Sequence, residues 1–278
     1  MYEHFKNIEF LYGEDVSIQI PNGIFKKLSS NIKNRNGSTN IQQTSFAYAY
    51  IVMNAFLYKY AHFVDVDNGT YIQNADIKGL LGYNKVTKTI DYIIKKGGVL
   101  DMIGLTETIN NYPIRFFNHP TERINNIPLR EYVTIKDIDN TDSHYDIIKG
   151  IVKNHNYAVK EPTFLFEYDD DNGTLYEFSN THKITLNEFM KFIFNDSLDN
   201  IDFMMYCFFK SKCKGLKHDM NAIGLNYIVN ELGIGKDAFY GHLEVLKKNR
   251  FLEVNHKGWV MGSSSELESN EYYFIGVR

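Results

Sequence analysis

The chain has 278 residues, a formal net charge of −4 from 30 Lys and Arg against 34 Asp and Glu, and 44 % hydrophobic residues. That length exceeds one minimal domain and suits two of roughly 100–130 residues, each with an ordinary core. The acidic balance excludes a protein that coats phosphates indiscriminately, so any nucleic-acid contact must come from local basic patches.

Met1 to Phe10 carries Glu3, His4, Lys6 and Glu9 in place of the apolar run of a signal peptide. No apolar stretch approaches the ~20 residues that span a bilayer; the longest, Phe46 to Phe63, is interrupted by Asn54, Lys59 and His62. The expectation is a cytoplasmic protein that makes no membrane contact. Residues 1–43 read as a lead-in: Val16 to Ile20 alternates like a strand, stops at Pro21-Asn22-Gly23, and Asn31 to Gln43 is a polar loop.

A first domain is expected over residues 44–118. Thr44 to Phe63 reads as a helix with Phe46, Tyr50, Met53, Leu57 and Tyr60 on one face, capped by Thr44 or Ser45. Asp67-Asn68-Gly69 turns into a strand at Thr70 to Ile72. Asn74 caps a helix over Ala75 to Leu81, which Gly82 ends. Asn84 opens the next helix, with Val86, Ile90 and Ile93 inward, and Gly97-Gly98 closes it. Val99 to Leu105 and Pro113 to Phe117 read as two strands around a polar loop.

Residues 119–184 are rich in Asn, Asp and Thr and read as a connector. Within them, Thr163 to Tyr168 and Thr174 to Phe178 flank Asn172-Gly173, a hairpin signal. A second domain is expected over 185–278. Thr185-Leu186-Asn187-Glu188 has the capping-box pattern. Helices follow at Leu186–Phe194, Asp199–Lys214, Ala222–Leu232 and Lys236–Lys248, the last with Phe239, Leu243 and Leu246 inward. Phe251 to Asn255 and His256 to Val260 read as strand and wing, with Trp259 packing on the wing strand. Tyr272 to Val277 reads as a final strand.

Two stretches spell one unit. Leu81-Gly82-Tyr83-Asn84-Lys85 runs on to Lys95-Lys96-Gly97-Gly98-Val99-Leu100-Asp101. Leu232-Gly233-Ile234-Gly235-Lys236 runs on to Lys247-Lys248-Asn249-Arg250-Phe251-Leu252-Glu253. Each reads as helix, Gly turn, amphipathic helix and strand, the order of a helix-turn-helix with a wing. A helix held proud by such a turn fits the major groove of B-DNA, with its N-terminal residues on base edges and flanking lysines and amides on phosphates. The outward candidates are Asn84, Lys85, Thr87 and Lys88 in the first unit and Gly235, Lys236, Tyr240 and Lys247 in the second, with Lys257 in its wing. Both stretches are locally basic: four lysines against two aspartates from Leu81 to Leu105, and five cations against three acids from Leu232 to Gly258. Lys95, Lys96, Lys247 and Lys248 also suit a helix C-terminus by complementing its dipole. Lys85 and Lys236, at helix starts, have no such reason.

The second unit resembles the helix-turn-helix of winged-helix bacterial regulators through Leu232 to Lys236, then Tyr240, Leu243 and Leu246, then Phe251-Leu252-Glu253. The first, with its Asp67 to Ile72 strand and a wing ending at Pro113, resembles the N-terminal domain of replication initiators from plasmids and phages of Gram-positive bacteria. The Ile, Phe, Tyr, Asn and Lys bias fits an AT-rich genome. The resemblance implies an α+β, mainly helical fold of two winged-helix domains joined by the hairpin connector. It implies a sequence-specific double-stranded DNA-binding protein, a replication initiator or transcriptional regulator, with double-stranded DNA and a second copy of the chain as its partners. The alternative is a winged-helix module for protein–protein interaction or dimerisation with little or no DNA binding.

No enzyme is expected, since no carboxylates, Ser/His or Cys/His groups stand at catalytic spacing. No cofactor or small-molecule ligand is evident. Cys207 and Cys213, six apart and outside any CxxC or Cys/His cluster, read as reduced, buried thiols and not metal ligands. Asp65 to Gly69 and Asp169 to Gly173 lack the full register of a calcium loop and read as turns.

Overall fold

The computed structural model describes residues 2–13, 16–66, 69–124, 127–155, 157–167, 174–176, 180–213, 219–257 and 269–277. The chain opens with α1 (Tyr2–Tyr12), β1 (Ser17–Pro21), α2 (Ile24–Asn31), α3 (Ile41–Lys59), β2 (Val64–Asp65) and β3 (Thr70–Tyr71). It continues with α4 (Asn74–Leu80), α5 (Asp91–Ile94), α6 (Val99–Met102), β4 (Thr106–Ile109), β5 (Pro113–Ile124), β6 (Ile127–Thr134), α7 (Tyr145–His155), β7 (Val159–Pro162), β8 (Leu165–Glu167) and β9 (Thr174–Tyr176). It ends with β10 (Thr181–Thr185), α8 (Leu186–Ile193), α9 (Asn200–Lys212), β11 (Asp219–Ile223), α10 (Leu225–Leu232), α11 (Lys236–Lys248), β12 (Leu252–Asn255) and β13 (Asn270–Phe274). The fold is thus mixed α and β, helices with small antiparallel sheets. Among the described residues no helix is long and apolar enough to cross a membrane.

Two compact units form, each from two chain segments: Met1–Gln19 with Tyr50–Ser179, and Ile20–Ala49 with Asn180–Arg278. Residues 119–179, read as a connector, therefore lie in the first unit, and residues 20–43, read as part of a lead-in, lie in the second. The lead-in also holds two helices, α1 and α2, that the sequence reading did not mark. The unit boundary falls inside α3. That helix is apolar on every face, and Thr44 to Tyr58 are all buried, as expected of a helix enclosed by its surroundings. The single inward stripe read from Phe46, Tyr50, Met53, Leu57 and Tyr60 is only part of its buried surface.

In the first unit β5 pairs antiparallel with β6, β4 with β7, β2 with β3, and β8 with β9. The β8–β9 pair is the expected hairpin; its Asn-Gly tip lies outside the described residues, as do Asp67 and Asn68 of the earlier turn. Residues 81–117 depart from the sequence reading. The helix expected from Asn84 is a chain of turns, and only Asp91–Ile94 is helical. Asn84 Oδ1 accepts the amide of Val86 at 3.1 Å, closing an Asx turn that competes with a helical start. Val86, Thr87, Thr89 and Ile90 are β-branched and poor helix formers. Lys78 completes the diversion: its Nζ donates to the carbonyl of Thr87 at 2.8 Å and pairs with Asp91. Val86, expected inward, is 79 % exposed.

The strand expected at Val99 to Leu105 is also replaced, by the short helix α6. Asp101 organises this corner, accepting from Gly97 N at 2.9 Å, Thr106 Oγ1 at 2.7 Å, Thr108 Oγ1 at 2.8 Å and Lys160 Nζ at 2.6 Å. The chain then enters β4, whose partner is β7, while Pro113 begins β5 against β6. The two strands expected to form the first wing do not pair with each other, so residues 81–117 do not have the order helix, turn, helix, two-stranded wing.

In the second unit the expected capping box is present. Glu188 N donates to Thr185 Oγ1 at 3.2 Å, and Glu188 Oε2 accepts from Thr185 N at 2.8 Å. Asp199 caps α9 in the same way, with Oδ1 accepting from Ile201 and Asp202 amides at 2.8 and 2.9 Å. All residues from Ile201 to Lys210 are buried. Within α9, Lys210 Nζ reaches Glu188 Oε2 at 2.6 Å, a buried pair joined by the Tyr206 hydroxyl. Cys207 and Cys213 are free and buried, and burial pushes the Cys207 thiol well above its ordinary pKa.

The segment read as one helix, Ala222–Leu232, is divided. Asp219–Ile223 forms β11 against β13, and Gly224 at φ −68, ψ 136 starts α10. The three strands lie in the order β11-β13-β12, both pairings antiparallel. β13 ends at Phe274, three residues short of the expected Val277. Phe192, Tyr206, Phe251 and Phe274 pack together beneath this sheet, with the Phe192 and Phe251 rings 5.0 Å apart and those of Tyr206 and Phe274 5.1 Å apart. Residues 258–268, including Trp259 and most of the expected wing, lie outside the described residues.

Candidate nucleic-acid interface

The second unit presents α11 through a turn the sequence specifies closely. Leu232 is fully buried and Gly233, at φ +68, caps α10 in the left-handed region, its amide donating to Val229 O at 2.8 Å. Ile234 is 1 % exposed and anchors the turn. Gly235, extended at φ −71, ψ 152, is the N-cap of α11 and makes no side-chain cap. Phe239, Leu243 and Leu246 are fully buried, as the spacing requires.

That registration leaves Lys236, Asp237, Tyr240, Gly241, Glu244 and Lys248 exposed. Tyr240 is 42 % exposed, its ring 5.4 Å from that of Phe239. Lys236 has no carboxylate partner among the described residues. Lys247 does: its Nζ lies 2.6 Å from Glu244 Oε1. Lys257 pairs with Glu271 Oε1, also at 2.6 Å, and this pairing, with Asn255 beside it, lowers the Glu271 pKa. Of the second-unit candidates, Gly235, Lys236 and Tyr240 therefore share the free start of α11, while the charges of Lys247 and Lys257 are already answered.

The first-unit candidates Asn84, Lys85, Thr87 and Lys88 lie together on the turns between α4 and α5, not on a helix. Lys85 is 63 % exposed at its side chain and pairs with Asp76 at 2.9 Å. This unit also has a cavity of about 430 Å³ lined by Asn54, Gln73, Asn74, Lys96, Thr108 and Tyr157, among others.

Behind α11, His242 Nδ1 meets Asp202 Oδ1 at 2.8 Å and stands 3.7 Å from Asp199 Oδ1. The bond to Asp202 raises the His242 pKa against the opposing effect of burial. One atom from each of these three residues falls within 4.8 Å of the others, a spacing compatible with a metal ion. Their oxygens are already engaged in the cap of α9: Asp199 Oδ1 takes the two amides and Asp202 Oδ2 takes Asp199 N at 3.0 Å. The cluster is accounted for by the helix start and by the His242 ring bonded to Asp202.

The loop at 32–40, expected as a polar loop and not among the candidate residues, sets the Thr39 side chain against Gly233. The signal that marks it is a lack: no Asp or Glu occurs between Asp15 and Asp65. No protein-family model, curated protein or solved structure matches the chain.

Proposed function

We propose that the second unit is a winged-helix module that places α11 in the major groove of double-stranded DNA, within a replication initiator or transcriptional regulator. The observation that carries this reading is the order α9-β11-α10-α11-β12-β13 closed by the sheet order β11-β13-β12. In that arrangement a helix-turn-helix is followed by an antiparallel strand pair, the element order of a winged helix. Lys236 at the start of α11 meets a phosphate or a guanine edge. Tyr240 and Asp237 face the bases, the Asp237 carboxylate as an acceptor for a cytosine amino group. Salt-titrated fluorescence anisotropy, using duplex DNA from the region flanking the gene with random duplex as competitor, tests it. A complex that survives competitor supports site reading, and absence of binding to any duplex at low salt overturns it.

A second reading, a protein-interaction module, is favoured by one observation. The outward face of α11 carries Asp237 and Glu244 beside its lysines, a mixed pattern that also suits a protein partner. Binding to no duplex, together with self-association in sedimentation, would favour it.

A further inference from the structure

A run of cations without acids reaches the helix-turn-helix of the second unit from outside it. Residues 16–64 hold five cations, Lys26, Lys27, Lys33, Arg35 and Lys59, and no acid. The fold brings part of this segment to the α10–α11 turn. Lys26, on α2, donates to the carbonyl of Asn230 at 2.9 Å, and Ser29 Oγ donates to Glu231 O at 2.8 Å, so α2 is fixed to the end of α10. Thr39 Oγ1 donates to Ser29 O at 2.9 Å, and the Thr39 side chain fills the space beside Gly233. Lys33 Nζ donates to Thr39 Oγ1 at 3.0 Å. Between them residues 34–38 form a tight exposed turn, closed by Asn34 N to Ser38 O at 2.8 Å, with Gly37 at φ +82. Arg35 is exposed in this turn.

The cations here are not neutralised. Lys26 and Lys33 bond to neutral oxygens, and Arg35 and Lys236 have no carboxylate partner among the described residues. Glu231 and Asp237 are the acids that flank the turn in sequence, so four cations outweigh them. By contrast Lys257, the basic residue of the expected wing, is held by Glu271. A surface of uncompensated cations on short rigid supports beside a groove-entering helix complements the phosphodiester backbone.

We propose that Lys26, Lys33 and Arg35 form, with Lys236, a backbone clamp that grips the phosphates of duplex DNA beside the groove α11 enters. This rests on the DNA-binding reading of α11 and adds the strand contact that reading lacks. Each such contact releases about 0.9 of a counterion from B-DNA, so its removal shows as salt dependence and not as altered sequence preference.

The test is anisotropy on the full chain with flanking and random duplexes across a salt series. The variants are Lys33→Ala/Arg35→Ala, Arg35→Lys and Lys236→Ala, each with a thermal melt. The double variant is expected to lower the slope of log K against log salt by roughly 2 and to lose affinity on the order of 50-fold near 0.1 M salt, equally on both duplexes. Arg35→Lys is expected to keep the slope. If the double variant melts early, Arg35→Ala alone decides, since that side chain has no partner to lose among the described residues. Wild-type slope and affinity in the double variant and in Arg35→Ala, with Lys236→Ala impaired, would overturn the clamp and leave the docking of α11 intact. Failure of the wild-type chain to bind either duplex would overturn both.

Discussion

Thr39 occupies the place that a side chain at Gly233 would need: a Cβ there would lie 2.5 Å from both Cγ2 and Oγ1 of Thr39. Gly233 also sits at φ +68, where an L-residue costs roughly 1–2 kcal/mol before any clash. Gly233→Ala is therefore expected to lower stability by more than about 2 kcal/mol, measured by urea denaturation. Gly235→Ala meets nothing within 4 Å at φ −71 and is expected to stay within about 0.5 kcal/mol of wild type. Equal effects of the two would contradict the packing at the turn.

Lys236 and Lys247 lie on one helix, but among the described residues only Lys247 has a carboxylate partner, Glu244 at 2.6 Å. Lys236→Ala is expected to weaken duplex binding about tenfold near 0.1 M salt and to reduce the salt slope by roughly 0.9. Lys247→Ala is expected to change both much less. The reverse order in anisotropy titrations would move the contact to the far end of α11.

His242 gains its proton through Asp202, so its folded pKa stands above its unfolded value. The stabilisation is fully present below about pH 6.5, the unfolded value, and is lost as pH rises through the higher folded value. The stability gap between wild type and His242→Gln should therefore be widest near pH 6 and narrow toward alkaline pH. Denaturation curves at stepped pH check this, and a gap that widens with pH would refute it.

His182 has the opposite sign. It is buried, with Tyr48 Oη 2.8 Å from Nε2 and Asn22 Oδ1 2.9 Å from Nδ1. Burial, aided by Lys210 and Lys212, lowers its pKa to about 3. In the unfolded chain it takes up a proton near pH 6.5, so its contribution is present above that pH and is lost as pH falls. His62, lowered to about 4 by burial and by His4, acts in the same direction. Stability is expected to decline by up to about 1.4 kcal/mol per pH unit for each below pH 6, and His182→Gln should flatten that decline.

Glu188 is buried, but its pairing with Lys210 and its bonds from Thr185 and Tyr206 hold its pKa below its ordinary value despite the cost of burial. Glu188→Ala would leave Lys210 buried without its counterion and remove the cap of α8. The expected loss is about 3–5 kcal/mol, read by urea denaturation. Glu188→Gln, which keeps hydrogen-bond acceptance, should lose less.

Where a signal was local, it was legible. Thr185 and Glu188 marked a helix start, Asn172-Gly173 marked a strand pair, and Phe239, Leu243 and Leu246 marked the inner face of α11. The failures were decided by side-chain bonds that hydrophobic periodicity does not show. Asn84 to Ile90 looked helical until Lys78 and the β-branched residues are weighed. Val99 to Leu105 looked extended until Asp101 is seen gathering Gly97, Thr106, Thr108 and Lys160. Lys236 could be read as a candidate because it stands beside its own turn. The proposed partners Lys26, Lys33 and Arg35 could not, because only folding brings their segment to a turn some 200 residues later.

Because residues 50–179 intervene between the two segments of the second unit, α2 leaves the ribosome long before α10, the helix it braces. At about 5–20 residues per second, the early segment must wait many seconds for its counterpart. The first unit has all of its chain by residue 179 and can close during synthesis. The second can close only once residues 180–278 have joined residues 20–49, and a fragment beginning at residue 180 would be born without the segment that holds α10.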